Sequence, residues 1–156
     1  MRMVQILVDA DACPVKDEIY RVAVRHGVPA VVVSNSGMRL PGHPLVTQTI
    51  VNDGFDAADD WIAAASGPQT LVITGDILLA DRALKAGAMV LAHNGRSFTT
   101  NSIGAAIATR AIMADLRAGG DVIPGGQGAF TKADRARFLQ AIDSALVRLK
   151  REATTN

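Results

Sequence analysis

The chain has a single cysteine, Cys13, so no disulfide can form within it. A zinc site would then have to rest on histidine, and His26, His43 and His93 show no ligand spacing. Aromatic residues make up only 4% of the sequence, which argues against a base-stacking platform for single-stranded nucleic acid. No run approaches the roughly 18 consecutive apolar residues of a membrane span. The N-terminus carries neither a signal-peptide cleavage pattern nor an acid-poor transit segment, so the expected location is cytoplasmic, with no membrane partner. A dominant charge is also missing. The formal net charge is +1, which neither demands nor excludes a nucleic-acid partner, because a basic groove can hide in a balanced total.

What is present is apolar material, 49% of 156 residues, enough for one compact domain with a real core. There is no internal repeat or low-complexity tract. Strands and helices alternate, which predicts an α/β domain over residues 1–150: a mostly parallel sheet with helices on both faces, in three layers. Residues 4–8 form a short apolar strand ending at Asp9. Pro14 suits a first helical turn, and Gly27 stops the helix that follows. Further strands are expected at 29–33, 45–51 and 70–74, with 89–92 as the last clear one. Helices are expected at 56–65, 77–86, 103–116 and from Thr131 onward. Thr131 and Asp134 resemble a capping box, with Asp in place of the usual Glu. Residues 124–128 read as a flexible glycine loop and 151–156 as a frayed tail.

The aspartates carry the chemistry. Asp9 and Asp11 close the first strand, and Asp76 follows the strand at 70–74. In open parallel sheets, ligands bind beyond the carboxyl ends of the strands, at a switch in strand order. If the two strands are neighbours, Asp9 and Asp76 converge. Asp56 and Asp59 are three apart and share a helix face. Several carboxylates at one point stay ionised only when a cation intervenes, and oxygen-only ligands favour Mg²⁺ or Mn²⁺. The competing reading makes Asp56 and Asp76 helix N-caps and leaves Asp60 and Asp81 solvated. Cys13 sits at a strand-to-helix turn. It is either a reactive thiol activated by the helix N-terminus or a small buried hydrophobe. Arg110 is the only charge between Ile103 and Ala114, and Arg135 shares a helix face with Phe138, Ile142 and Leu146. Each needs a phosphate or carboxylate partner.

These residues resemble the YaiI/YqxD family, a set of uncharacterised bacterial proteins with a PIN-like domain. The matching pieces are Asp9-Ala10-Asp11-Ala12-Cys13-Pro14, Arg39 with Pro41, and Gly54-Phe55-Asp56-Ala57-Ala58-Asp59. Residues 72–80 (with Thr74 and Asp76), Gly87-Ala88, Phe98-Thr99, Arg110, Gly125-Gly126 and Asp134-Arg135 with Phe138 complete them. They run in order through nearly the whole chain. The resemblance implies a PIN-like fold, a type whose members are typically metal-dependent ribonucleases. It implies Asp9, Asp76 and Asp56 or Asp59 as metal ligands. Asp9, Asp59 and Asp76 are the expected catalytic residues, and Thr74, Arg39, Arg110 and Arg135 the expected substrate contacts. RNA would be the partner. One departure is Gln127, where the family usually has proline after Gly-Gly.

Three functions therefore compete. The first is a metal-dependent phosphodiesterase acting on RNA. The second is a non-enzymatic metal- or nucleic-acid-binding module. The third is a haloacid-dehalogenase-type phosphatase, with Asp9 and Asp11 as nucleophile and acid and Ser34 as the hydroxyl. The third lacks the lysine expected before the final acidic motif, since Lys85 follows it, and leaves Asp56 and Asp59 without a role.

Overall fold

The computed structural model describes residues 3–11, 13–52, 54, 56–118 and 129–155. Its elements are β1 (Gln5–Asp9), α1 (Lys16–His26), β2 (Ala30–Ser34), β3 (Val46–Ile50), α2 (Ala57–Ala65), β4 (Thr70–Ile73), α3 (Ile77–Lys85), β5 (Met89–Leu91), β6 (Ser97–Phe98), α4 (Ile103–Ala118) and α5 (Lys132–Thr155).

The sheet order is β3-β2-β1-β4-β5-β6. The first five strands pair in parallel, and β6 pairs antiparallel with β5. The chain leaves β1 in one direction through α1 to β2, and later returns across the sheet through α2 to β4 and α3 to β5. Right-handed crossovers running in opposite directions place their helices on opposite faces. The core shows that division. Ile6, Val8, Leu71 and Ile73 pack with Ile19 and Val22 of α1 and with Phe138, Ile142, Leu146 and Leu149 of α5. Leu7, Val33, Val72 and Val90 pack with Ile62 of α2, Leu79 of α3 and Ile103 of α4. The three expected layers are present. A sheet covered on both faces also explains why all four residues of β4 are buried.

Local chemistry sets the helix ends. Gly27 takes the left-handed conformation (φ 68°) and its N–H reaches back to the carbonyls of Ala23 and Val24, closing α1. Thr131 and Asp134 form the capping box of α5. The Thr131 N–H donates to Asp134 Oδ2 at 2.9 Å, and the Asp134 N–H donates to Thr131 Oγ1 at 3.0 Å.

Two expectations fail. The two-residue β6 follows the strand expected to be the last clear one, and a segment so short carries no readable alternation. Residues from 151 were expected to fray, but α5 continues to Thr155 because Ala153 is buried beside the α1-side core. The glycine loop at 124–128, Gly119-Gly120, and Ala12 and Phe55 of the family motifs lie outside the described residues. Among the described residues, no helix is long and apolar enough to cross a membrane.

Candidate functional site

Strand alternation aims the two central acids. Ile6 and Val8 point to the α1 side and Leu7 to the α2 side, so Asp9 follows Leu7. In β4, Leu71 and Ile73 face α1 and Val72 faces α2, so Thr74 also points to the α2 side. β1 and β4 are neighbours, with Val8 opposite Ile73. Asp9 and Thr74 therefore meet at the carboxyl edge. The Thr74 hydroxyl donates to Asp9 Oδ2 at 2.8 Å and accepts the Asp76 N–H at 3.0 Å. This junction is the switch in strand order, where β1 leads one way and β4 the other.

Thr74 is wholly buried, so it cannot touch a substrate. It is instead the bridge that fixes Asp9 relative to Asp76. Asp76 does cap a helix: its Oδ1 accepts the N–H groups of Leu78 (2.9 Å) and Leu79 (3.3 Å). That leaves its second oxygen outside the cap. Asp56 occupies the N-cap position of α2 with φ 67°, yet its side chain accepts no cap hydrogen bond. A positive φ is uncommon outside glycine, though aspartate tolerates it better than most residues.

Asp9, Asp11, Asn35, Gly54, Asp56 and Asp59 line a cleft of about 110 Å³. The electrostatics follow from the crowding. Burial pushes the Asp59 carboxyl up to about 6, and the neighbouring Asp76, Asp9 and Asp56 push it the same way. Asp59 also shares a side-chain hydrogen bond with Asp76. Burial raises Asp9 as well. The Thr74 hydroxyl opposes that rise, while Asp11 and Asp76 add to it. The donor set is all oxygen, which suits a hard divalent cation. Among the described residues, no group of three or more His, Cys, Asp and Glu side chains is placed so that it could hold a metal ion as it stands.

The expected arginines do not join the cleft. Arg39 is exposed between Met38 and Leu40, which pack with Tyr20 and Val46, and it is not among the residues that line the cleft. The Met38 N–H bonds the Gln48 side chain, placing Arg39 beside β3. Arg110 is exposed on α4 and makes no ion pair among the described residues. Arg135 is committed elsewhere. Its Nη1 donates to Glu18 at 2.5 and 3.2 Å and to the Pro14 carbonyl at 3.0 Å, and its guanidinium lies 5.1 Å from the Phe130 ring centre. The partner is a glutamate 117 positions away, which no local pattern announces.

Cys13 is buried in the core and burial raises its thiol, so it is a packing residue. Asp60 pairs with Arg82 across α2 and α3, and Asp81 with Lys85 along α3. Two site neighbours escaped the sequence reading. Asn35 lines the cleft just after β2. His93, just after β5, lies so near Gly75 that an added Cβ there would meet its ring at 3.3 Å. Position at a carboxyl strand end was the signal for both.

An α/β protein with an acidic cleft at its strand-order switch is the class that fold and site define. Residues 7–148 match the uncharacterised YaiI/YqxD family, and the chain belongs to it. It is 70% identical over 146 residues to a UPF0178 protein of Sphingopyxis alaskensis, covering 94% of this chain and 95% of that one. Identity to the UPF0178 protein of Jannaschia sp. is 59% over 147 residues, covering 93% and 94%. For that of Parvibaculum lavamentivorans it is 56% over 149 residues, covering 96% and 97%. No solved structure matches the chain.

Proposed function

We propose that the acidic cleft binds Mg²⁺ or Mn²⁺ and that the protein is a metal-dependent phosphodiesterase acting on RNA. One observation carries this reading: four aspartates from β1, α2 and the end of β4 gather at one carboxyl edge, where burial first and the neighbouring carboxylates second push Asp59 up to about 6. A divalent cation relieves such repulsion. A bound ion would supply an acidified water and neutralise charge on a phosphate. Asp9, fixed by Thr74, and the Asp76 oxygen outside the helix cap are the proposed standing ligands, with Asp11 and Asp56 at the rim. Asp59 gives up its proton on binding, so metal affinity rises with pH through about 6. Mg²⁺ is commonly held by one or two carboxylates plus waters and substrate phosphate, so a ready cage is not required.

The lack of a complete ligand cage among the described residues favours, as a second reading, a module that binds metal or nucleic acid without turnover. The phosphatase reading loses ground because Ser34 is fully buried and donates its hydroxyl to the Ser36 carbonyl.

The deciding experiment titrates Mn²⁺ and Mg²⁺ into the wild type and Asp9→Asn by calorimetry, then incubates both with mixed RNA and a phosphomonoester. Metal binding that is lost in Asp9→Asn, with metal-dependent RNA cleavage, is the expected result. Binding without cleavage supports the module. No binding at millimolar metal overturns both.

A further inference from the structure

We infer that Arg135 is a positioning residue, holding the β1–α1 loop that carries Asp11 in place from α5; this rests on the proposed metal site. The loop leaves β1 at Asp9 and enters α1 at Lys16. Its outer end is tied down by the Arg135 Nη1 bond to the Pro14 carbonyl at 3.0 Å. Its inner end is tied by the Ala10 N–H to the Val33 carbonyl at 3.1 Å and by the Cys13 N–H to the Ala10 carbonyl at 3.2 Å. Asp11 lies between these ties, exposed and lining the cleft.

Glu18 makes the grip firm. Its side chain is 5% exposed, and Arg135 is its salt-bridge partner among the described residues. A buried carboxylate demands its counter-charge, so the guanidinium cannot swing away. One nitrogen, Nη1, serves the carboxylate and the carbonyl together, so the charge pair and the loop contact share a single anchor. Phe130 covers the guanidinium face.

The same stretch of α5 supports the other flank of the site. Gly95, with φ 88°, lies so close to α5 that a Cβ would fall 2.6 Å from the Arg137 carbonyl oxygen and 2.9 Å from the Phe138 nitrogen. His93 of that turn rests on Gly75, between Thr74 and Asp76. One helix thus backs the loops after β1 and β5, on either side of the Asp9–Asp76 junction.

Removing Arg135 alone strands a buried Glu18 and threatens the fold. The test therefore uses Glu18→Leu/Arg135→Met, which replaces the ion pair by apolar side chains and deletes the Pro14 contact, with Arg135→Lys beside it. Three quantities are read: the urea midpoint, amide hydrogen exchange at Ala10 and Cys13, and Mn²⁺ affinity. In the double variant the midpoint should stay near wild type, exchange at both amides should quicken, and Mn²⁺ affinity should fall about 10-fold, as for removal of groups that orient metal ligands. Arg135→Lys should fall between. If the double variant keeps wild-type exchange, Arg135 merely neutralises Glu18 and the inference is overturned; if it exchanges faster with unchanged Mn²⁺ affinity, Arg135 holds the loop but does not position the metal site, and the inference is overturned in that respect. If the wild type itself binds no Mn²⁺, the proposed function fails, and the exchange rates still decide whether Arg135 holds the loop.

Discussion

Asp59→Asn should make the metal-free protein more stable at neutral pH, because a charge is unwelcome at that position. The folded carboxyl holds its proton to about 6, against an ordinary 3.8. At about 1.4 kcal/mol per pH unit, that gap corresponds to roughly 3 kcal/mol if nothing screened it. Asp59 is only half-buried, and solvent screening reduces the expected gain to about 1 kcal/mol. Below about pH 4 the carboxyl is protonated in folded and unfolded chains alike, so asparagine confers little. Between 3.8 and about 6 the unfolded chain releases a proton that the folded chain keeps, and the wild type loses stability as pH rises. Above that window the deficit is complete. Urea denaturation in EDTA-treated buffer at pH 4 and pH 8 reads it directly. With a slope of about 2 kcal/mol/M, the variant midpoint should exceed wild type by roughly 0.5 M at pH 8 and converge with it at pH 4. A lower midpoint for Asp59→Asn at pH 8, or an equal difference at both pH values, would show that burial and the neighbouring carboxylates do not disfavour the Asp59 charge. Saturating Mg²⁺ should reverse the ranking, because only the wild type offers the full carboxylate set.

Thr74→Val keeps the shape and removes the hydroxyl. It should destabilise the fold by about 1–2 kcal/mol and raise the Asp9 pKa further, as followed by carboxyl NMR titration; an unchanged Asp9 titration would discount the bridge. Asp76→Ala should be about 1 kcal/mol less stable than Asp76→Asn, since only asparagine still offers an acceptor to Leu78 and Leu79; equal thermal midpoints would deny the cap. Gly95→Ala combines a positive φ with a backbone collision and should lower stability by about 1–3 kcal/mol in urea, whereas a neutral result would mean that the turn and α5 can part freely.

Much of the architecture could be read from periodicity and breakers. Gly27 marks the end of α1, and Thr131 with Asp134 marks the start of α5, because caps are local chemistry. The site was half legible. Asp9 and Asp76 stand at strand ends in any α/β reading, but their meeting depends on β1 pairing with β4, which sequence spacing does not encode. Asp56 looked like a cap, and only its backbone conformation reveals that its carboxylate is not used as one. Thr74 and Arg135 were expected to meet a substrate. Burial removed the first and a distant glutamate engaged the second, and both are tertiary facts. Arg39 belongs to the family motif, and in the structure it is an exposed residue of the β2–β3 connection that does not line the cleft.

The strand order has a consequence for biosynthesis. β1 emerges from the ribosome first yet sits in the middle of the sheet, and its second neighbour, β4, begins only at Thr70. The α1-side face waits longer still, because Phe138, Ile142, Leu146 and Leu149 all belong to the final helix. Until that helix is synthesised, Ile6, Val8, Leu71 and Ile73 lack half of their cover. The nascent chain therefore carries an apolar sheet face that invites association with other chains or a chaperone. A stop codon ahead of Phe138 should yield a sticky, protease-sensitive fragment rather than a smaller version of the domain.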